Sequence, residues 1–346
     1  MSPSEKSLVF PATGRKIGPS MILFNGNVHI KAAAVAFFSF GTYANKKFLS
    51  ACISASTEER IRLSIPVIFI HRADEGHLGL CMQQAMASNP KSRVILIGTR
   101  ENRKHIPDGA EHHLIDDYSQ SAKGFASFYR HLSPNNFAYN LFCFQRWFIL
   151  RDFMKVNELQ KILYLDSDVL LYCDISKPDY ERLALEFSWT TVCNLPTLDR
   201  YCAYLTAHFR ETSLLHKLLD YCRSIGNAPL SDMVTCIHFR NYYLRIASTY
   251  GVFGDSFFDH NLSCPLAPPC DQIELLEGKK KIYWKYGALH GKLTEKDGFL
   301  KVNSLHFQGA TKHYIPFFLP SNLPSHDALH YFNYATCQWL LANSKD

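Results

Sequence analysis

Long apolar runs and amphipathic stretches alternate along the middle of the chain. Residues 66–70 and 94–97 are continuous apolar runs of strand length, and residues 112–115 are predicted to form a short third strand. Between the first two runs, residues 78–87 have the length and pattern of a helix. Apolar strands joined by helices are typical of a parallel sheet covered on both faces. The pattern therefore predicts an α/β fold.

The same alternation continues towards the C-terminus. Residues 137–154 have a long, aromatic helical pattern, and the apolar run Lys161–Leu165 follows it and leads directly into Asp166-Ser167-Asp168. The further predicted elements are an apolar run at 169–172, a strand at 188–193, a helix at 214–222, and strands and loops around 283–286 and 304–318 that pack against the sheet.

Three segments differ in pattern. Residues 1–63 show no sustained strand or helix period, so we treat them as an N-terminal extension without an assigned role. Residues 64–320 carry the alternating elements and are predicted to form the catalytic domain. Residues 321–346 remain as a C-terminal tail.

Composition narrows the class of protein. The chain has 346 residues, of which 47% are hydrophobic and 20% charged, which excludes a mostly disordered, collagen-like or coiled-coil protein. The net charge of +6 is spread along the chain, which suits a small polyanion such as a nucleotide and does not indicate nucleic-acid binding.

Cysteine usage and hydropathy bear on location. The 11 cysteines include no CxxC pair, so neither a zinc ribbon nor a disulfide framework is indicated, and a reducing, cytoplasmic location is expected. The uninterrupted apolar stretch 32–40 is shorter than the ~20 residues that span a bilayer. The aromatic, mildly basic C-terminal part leaves peripheral contact with a membrane surface open.

Two carboxylates at the end of a buried strand are the most informative feature. Ligands bind outside the carboxyl ends of strands in open α/β sheets, and positions i and i+2 of an extended chain face the same side. Asp166 and Asp168 are therefore predicted to converge on one divalent cation, Mn²⁺ or Mg²⁺, which could bridge a diphosphate. The alternative is a solvated turn whose Asp side chains cap backbone amides.

Two motifs resemble known families. The segment Lys161–Asp174 resembles the DxD region of GT-A glycosyltransferases, and Leu305–Lys312 is similar to the His-Phe-x-Gly-x-x-Lys motif of glycosyltransferase family 8. The resemblance implies a GT-A fold, which is a Rossmann-like, mostly parallel sheet flanked by helices. It further implies a metal-dependent hexosyl transfer from a nucleotide sugar, commonly UDP-linked. The family motif usually continues with Pro-Trp, whereas His313-Tyr314 follow here.

By this resemblance His306 is the third metal ligand and Lys312 contacts the diphosphate. Chemistry supports both roles, because an imidazole beside two carboxylates suits Mn²⁺ better than Mg²⁺, and a lysine supplies charge to a phosphate. Gly309 would let the backbone approach that phosphate. Ser167, between the two carboxylates, is counted with the substrate-binding residues.

The loop after the first strand lies where GT-A proteins hold the nucleoside. His71 or Arg72 could stack on the base, and Asp74 could accept hydrogen bonds from the ribose; a merely solvated charged loop is the alternative. Arg146, on the aromatic helix, could reach the diphosphate or pair with Asp152 or another acid.

Asp232 is the candidate catalytic residue. It follows Pro229-Leu230 at the start of a predicted helix, where family 8 has an Asp-Gln pair beside the reacting sugar; here Met233 replaces the amide. Asp232 could serve as the general base of an inverting reaction, or Ser231 or Asp232 could simply cap the helix. Retention and inversion both stay open.

Two competing functions are weighed against the glycosyltransferase. A nucleotidyltransferase would favour a glycine-rich, basic loop after the first strand, which residues 71–76 do not supply. A nucleotide-sugar-binding module without turnover would keep the same ligands. The sequence identifies no acceptor; a glycan or a lipid-linked acceptor fits the resemblance.

Overall fold

The computed structural model describes residues 64–180, 190–244, 251–263, 272–295, 298–325 and 328–342. The predicted extension 1–63 lies outside these residues, as do the first two residues of the strand predicted at 188–193.

Helices and strands alternate in the first part of the described chain. In order they are β1 Val67–Ile70, α1 His77–Ser88, β2 Val94–Gly98, β3 Glu111–Leu114, α2 Gln120–Ala126, α3 Phe137–Val156, β4 Lys161–Leu165, β5 Val169–Leu171, β6 Thr190–Asn194, α4 Leu195–Arg210, α5 Thr212–Ser224 and α6 Asp232–Phe239.

Strands dominate the second part. They are β7 Gly251–Phe253, β8 Ser256–Phe258, β9 Leu275–Leu276, β10 Lys279–Lys280, β11 Ile282–Lys285, β12 Ala288–Lys292, β13 Phe299–His306, β14 His330–Asn333 and β15 Gln338–Leu341, with a 3₁₀ segment at Gly309–Phe318.

The first sheet has five strands in the order β3-β2-β1-β4-β6. The pairs β2–β3, β1–β2 and β1–β4 are parallel, and β6 runs antiparallel to β4. The chain order reverses direction between β1 and β4, which is where an open α/β sheet offers a ligand crevice.

Helices cover both faces of this sheet because β1 is buried on both sides. Val67 and Phe69 pack in the same cluster as Leu78 and Met82 of α1, whereas Ile68 and Ile70 pack in the cluster that contains α3 and α4. Successive strand side chains point to opposite faces, so a fully apolar strand needs a helix layer on each. The predicted α/β class, a mostly parallel sheet flanked by helices, is confirmed.

The long helix α3 begins at a capped end and packs through aromatic side chains. The Asn136 side chain accepts hydrogen bonds from the backbone N–H groups of Ala138 and Tyr139, at 3.0 and 3.2 Å. Phe144, Trp147 and Phe153 are fully buried against the sheet. This packing fixes α3 beside the end of β4.

The second sheet runs in the order β15-β14-β11-β12-β13-β8-β7, and β5 pairs with β13 outside this path. The sequence analysis expected strands and loops that pack against the first sheet. The strands form a second sheet, and its buried Leu305 and Phe332 share one apolar cluster with Val67 and Phe69 of β1. Its β13 spans Phe299–His306, earlier than the strand expected from residue 304. Long-range pairing decides this, and hydropathy in one segment does not reveal it.

Residues 328–342 differ from the tail that the sequence analysis expected. They contain β14 and β15, which pair with each other and add to the second sheet through β11. Trp339 packs against Phe318 and Phe332, with ring centroids 5.3 Å apart in both pairs. The segment is part of the folded unit because the partly buried Trp339 packs against the fully buried Phe318 and Phe332.

Candidate metal centre

Strand pairing brings the two sequence motifs together. Asp166 and Asp168 follow β4 directly, and β5 then pairs antiparallel with β13, so that Val169 lies opposite His306. The backbone N–H of Phe307 donates to the carbonyl of Asp168 at 2.9 Å, which continues this pairing. Residues 138 positions apart in sequence therefore share the carboxyl end of β4.

Asp166, Asp168 and His306 form a cluster whose candidate ligand atoms all lie within 4.8 Å of one another. His306 Nε2 lies 3.1 Å from Asp168 Oδ1, and both side chains are buried. Buried side chains directed at each other do not fit the alternative of a solvated capping turn. Two carboxylates and an imidazole at this spacing suit a divalent cation.

The orientation of His306 fits this role. Its Nδ1 donates a hydrogen bond to the backbone carbonyl of His260 at 2.8 Å, which leaves Nε2 facing the carboxylates. Metal-binding histidines commonly donate their second ring N–H in this way, because the bond fixes both the tautomer and the ring plane. The donor set therefore fits a cation bound between the three side chains.

Burial and mutual attraction set the ionisation of this cluster. Burial raises the pKa of Asp168, but the charge and hydrogen bond of His306 outweigh it and bring the pKa to about 2. Burial lowers the pKa of His306, but the carboxylate of Asp168 prevails and raises it. The cluster thus favours bound positive charge, which a divalent cation would supply in place of the imidazolium proton.

Arg146 joins Asp166 to Asp232. Its Nη1 donates to Asp166 Oδ1 at 2.7 Å and its Nη2 donates to Asp232 Oδ2 at 2.6 Å. The Tyr164 hydroxyl also donates to Asp166 Oδ1, at 2.7 Å. Asp152, offered as a partner of Arg146 by the sequence analysis, instead accepts from Arg151.

Asp232 is the first residue of α6 and is buried beside the aromatic layer. Its Oδ2 accepts from Arg146 and, at 3.2 Å, from Trp147 Nε1. The helix cap is Ser231, whose hydroxyl accepts from the backbone N–H of Val234 at 3.3 Å. Asp232 is therefore joined to the metal cluster through one guanidinium, and capping is assigned to its neighbour.

Lys312 lies at the open side of the cluster. Its Nζ is 3.6 Å from Asp168 Oδ2 and 3.6 Å from Glu75 Oε2. Gly309, at the start of the 3₁₀ segment, has φ +59°, and a Cβ there would meet no atom within 4 Å. The backbone at Gly309 is thus both left-handed and open to a neighbouring group.

The side chains of the loop after β1 contact different parts of the structure. His71 is buried with Nε2 3.7 Å from Glu75 Oε2, and Arg72 donates to the carbonyl of Ala138 at 2.8 Å. Asp74 pairs with Lys104 and His105 of the loop after β2, at 2.6 and 2.7 Å. Ser167 lies half-buried in the turn between the two carboxylates.

A cavity of about 450 Å³ opens at the carboxyl ends of β1, β2 and β3. The Arg72 guanidinium lies 4.2 Å above the centre of the Phe142 ring in its wall. The wall also includes Gly98, Thr99, Asp116 and Gln145. The sequence analysis did not predict this cavity, because its wall combines three loop ends with a helix face.

Several residues of the site were missed or only mentioned in passing. Glu75 was included in the loop without a role, yet it contacts Lys312. Tyr164 lies two positions before Asp166, a spacing that places both on one face of β4 and could have been used. Trp147 and the carbonyl of His260 carry no sequence signal of their contacts.

Two further observations concern the cysteines and the helices of the described residues. The eight cysteines in the described ranges are free. Of the helices described in the structure, none combines the length and apolar character needed to cross a bilayer.

No protein-family model matches the chain, and no curated protein matches it by sequence. Among solved structures, apo mouse xyloside xylosyltransferase 1 aligns over 51% of this chain and 82% of its own, with TM-score 0.36 and 11% identity. A structure titled PaToxG glycosyltransferase aligns over 58% and 81%, with TM-score 0.32 and 11% identity. The galactosyltransferase LgtC, with donor and acceptor sugar analogues, aligns over 49% and 69%, with TM-score 0.26 and 12% identity.

Proposed function

We propose that this protein is a metal-dependent glycosyltransferase of GT-A type that moves a hexosyl group from a nucleotide sugar, commonly UDP-linked, to an acceptor hydroxyl. The observation that carries the proposal is the convergence of Asp166, Asp168 and His306 at the carboxyl end of β4, with Lys312 beside them. This arrangement can bind a divalent cation and a diphosphate at the crevice of an α/β sheet.

The charge balance supports this reading. Four carboxylates, Asp166, Asp168, Asp232 and Glu75, face two permanent cations, Arg146 and Lys312. With His306 neutral, the cluster has a net charge of −2, which a divalent cation neutralises. When bound, Mn²⁺ or Mg²⁺ would supply charge stabilisation for the leaving diphosphate.

We assign a role to each side chain of the candidate site. Asp166, Asp168 and His306 hold the cation, and Lys312 contacts the diphosphate as a point charge. Gly309 leaves the backbone open beside the phosphates. Arg146 holds the carboxylates of Asp166 and Asp232 in place, because its guanidinium donates to both.

The nucleoside is assigned to the side of the loop after β1. The cavity beside Arg72 and Phe142 has room for a base, and Asp116 and Gln145 supply polar contacts. His71 is buried beside Glu75 of the same loop, with Nε2 3.7 Å from Glu75 Oε2. Asp74 reaches the ribose only if its pairs with Lys104 and His105 open, so its binding role depends on a local rearrangement.

Transfer forms a bond from the acceptor oxygen to the anomeric carbon and breaks the bond from that carbon to the diphosphate, which leaves with the electron pair. Asp232 is the candidate for the acceptor proton. Its hydrogen bonds with Arg146 and Trp147 favour a positioning role equally. The variant Asp232→Asn distinguishes the general-base role from the positioning role. Lost transfer with intact nucleotide binding supports the base; unchanged transfer removes it.

The acceptor is proposed to be a glycan or a lipid-linked glycan. The free thiols of the described residues support a reducing, cytoplasmic location. Peripheral contact with a membrane stays a prediction.

The test is calorimetric binding of UDP with and without Mn²⁺. Binding that requires Mn²⁺ and is lost in Asp168→Asn and His306→Ala supports one shared site. The matched controls are Asp179→Asn and His216→Ala, two exposed residues of the same types, which are expected to bind like the natural protein. Absence of metal-dependent binding for UDP and other nucleotides contradicts the proposal.

Measurements of turnover distinguish the proposed glycosyltransferase from an inactive binding module and from a nucleotidyltransferase. Metal-dependent hydrolysis or transfer of a UDP-sugar supports the enzyme. Binding without turnover favours a module that has lost activity, and release of pyrophosphate from a nucleoside triphosphate and a sugar phosphate favours a nucleotidyltransferase.

A further inference from the structure

A buried ion pair, Asp259–Lys280, is hydrogen-bonded to the backbone of His306, the third ligand of the candidate metal centre. The side chains of Asp259 and Lys280 are fully buried, and Lys280 Nζ donates to Asp259 Oδ1. Neither residue belongs to the cluster of candidate ligands formed by Asp166, Asp168 and His306. Isolating two charges from water is costly, so such a pair calls for an explanation beyond stability.

The carboxylate of Asp259 accepts hydrogen bonds from two backbone N–H groups. Its Oδ2 accepts from the backbone N–H of His306 at 3.0 Å, and its Oδ1 accepts from that of Asn261 at 3.2 Å. Lys280 Nζ also donates to the carbonyl of Asn261, at 2.7 Å. One carboxylate and one ammonium thus connect the segment 259–261 to the end of β13.

Main-chain bonds extend the same connection. The backbone N–H of Asp259 donates to the carbonyl of Ser304, and that of Leu262 donates to the carbonyl of His306. The backbone N–H of Lys280 donates in turn to the carbonyl of Leu262. The carbonyl of His260 is therefore held at one place, 2.8 Å from Nδ1 of His306.

We infer that the Asp259–Lys280 pair positions His306 for metal binding, because it fixes the carbonyl that sets the tautomer and ring plane of this ligand. The inference rests on the proposed metal site and assigns both residues as positioning residues. Supporting residues of this kind typically change metal affinity by about 10- to 100-fold when they are altered.

The test uses the full chain and Mn²⁺ alone, with free Mn²⁺ measured by electron paramagnetic resonance. We expect Lys280→Met and Asp259→Asn each to weaken Mn²⁺ binding by about tenfold or more. The double variant Asp259→Asn/Lys280→Met removes both charges, and the Asn oxygen can still accept from the His306 backbone. It is expected to recover most of the affinity.

The control is Lys281→Met. Lys281 is also buried, but it pairs with Glu274 at 3.0 Å and contacts neither Asp259 nor the segment 259–261 in any bond described above. We expect Lys281→Met to bind Mn²⁺ like the natural protein. Equal weakening by Lys281→Met and Lys280→Met would indicate general loosening and overturn the inference.

A second readout follows the His306 ring without metal. The ¹⁵N shifts of His306 report whether Nδ1 keeps its proton, and we expect this signature to be lost in Lys280→Met and regained in the double variant. Retained affinity and retained shifts in both single variants overturn the inference. If Lys280→Met does not fold, Asp259→Asn and the double variant decide by the same criteria.

The two proposals fail in different ways. A natural protein that binds no Mn²⁺ contradicts the proposed function, whereas the ¹⁵N shifts still test whether the ion pair orients His306. A natural protein that binds Mn²⁺, together with variants that bind it equally well, leaves the proposed function standing and removes the inference.

Discussion

Arg146 is the residue that connects the parts of the candidate site. It donates to Asp166, Asp232 and the Tyr164 hydroxyl, all from a position within the buried aromatic layer of α3. Burial lowers its pKa, but the two carboxylates prevail and raise it well above the ordinary value. Its charge is therefore permanent, and it holds two carboxylates a short distance apart.

Lys312 gives a prediction at this scale. Because its Nζ is shared between Asp168 and Glu75 and lies at the open side of the cluster, Lys312→Met removes a charge that faces the diphosphate. We expect UDP binding in the presence of Mn²⁺ to weaken by about tenfold or more, since a hydrogen bond to a charged group contributes about 1.5–3 kcal/mol.

Calorimetry with two ligands checks the origin of this effect. Uridine, which has no phosphate, should bind Lys312→Met and the natural protein alike. Lys177→Met, which alters an exposed lysine outside the site, should leave UDP binding unchanged. Equal losses for uridine and UDP would show that Lys312 does not act on the diphosphate.

At the scale of elements, helix α3 depends on its N-terminal cap. The Asn136 side chain accepts hydrogen bonds from two backbone N–H groups that have no partner within the helix. Asn136→Ala should reduce the free energy of unfolding by about 1 kcal/mol. Urea unfolding measures this change.

The neighbouring Asn135 offers the control for the cap. It is exposed and precedes the cap by one position, so Asn135→Ala should change stability by less than about 0.5 kcal/mol. If both substitutions have the same effect, the stability does not come from the cap.

The hairpin β14–β15 supplies the second prediction about elements. Trp339 packs on Phe318 and Phe332 and donates from Nε1 to the carbonyl of Phe317 at 3.1 Å. Trp339→Ala should reduce the free energy of unfolding by about 2–3 kcal/mol, because a large ring leaves a cavity. Leu341→Ala, at a position that is 60% exposed, should have little effect. A detached tail would instead tolerate both changes.

At the scale of the whole molecule, the buried His71 and the half-buried His238 make stability depend on pH. Burial lowers the pKa of His238 to about 4, and burial together with neighbouring charges lowers that of His71 to about 4. An unfolded histidine has a pKa of about 6.5. Between pH 6.5 and 4 these histidines are therefore protonated in the unfolded chain but neutral in the native protein. Each of these residues therefore favours unfolding as the pH falls through this window.

His238→Gln isolates one such group. The variant should lose less stability than the natural protein between pH 7 and pH 4.5, measured by urea unfolding at each pH, because it has one titrating group fewer. His216→Gln, at an exposed helix position, should show the natural pH dependence. An unchanged slope in His238→Gln would mean that this histidine takes up its proton equally in the native and the unfolded protein.

Local patterns in the sequence predicted the first half of the molecule well. The strands at β1, β2 and β4 and the helices α1 and α3 lie where apolar runs and amphipathic periods placed them, within a few residues. Burial on both faces is encoded in each strand itself, since every position from Val67 to Ile70 is apolar. The second sheet was not predicted, because no local pattern shows which of its strands pair with one another.

The sequence alone determined the α/β class and the position of Asp166 and Asp168 at a strand end, because both depend on residues adjacent in the chain. Tertiary structure decided which distant groups meet them. The β5–β13 register brought His306 to Asp168, α3 placed Arg146 between two acids, and β14–β15 became part of a sheet. Contacts such as those of Arg146 with Asp232, 86 positions away, and of Asp168 with His306, 138 positions away, depend on packing and register, which no local pattern contains.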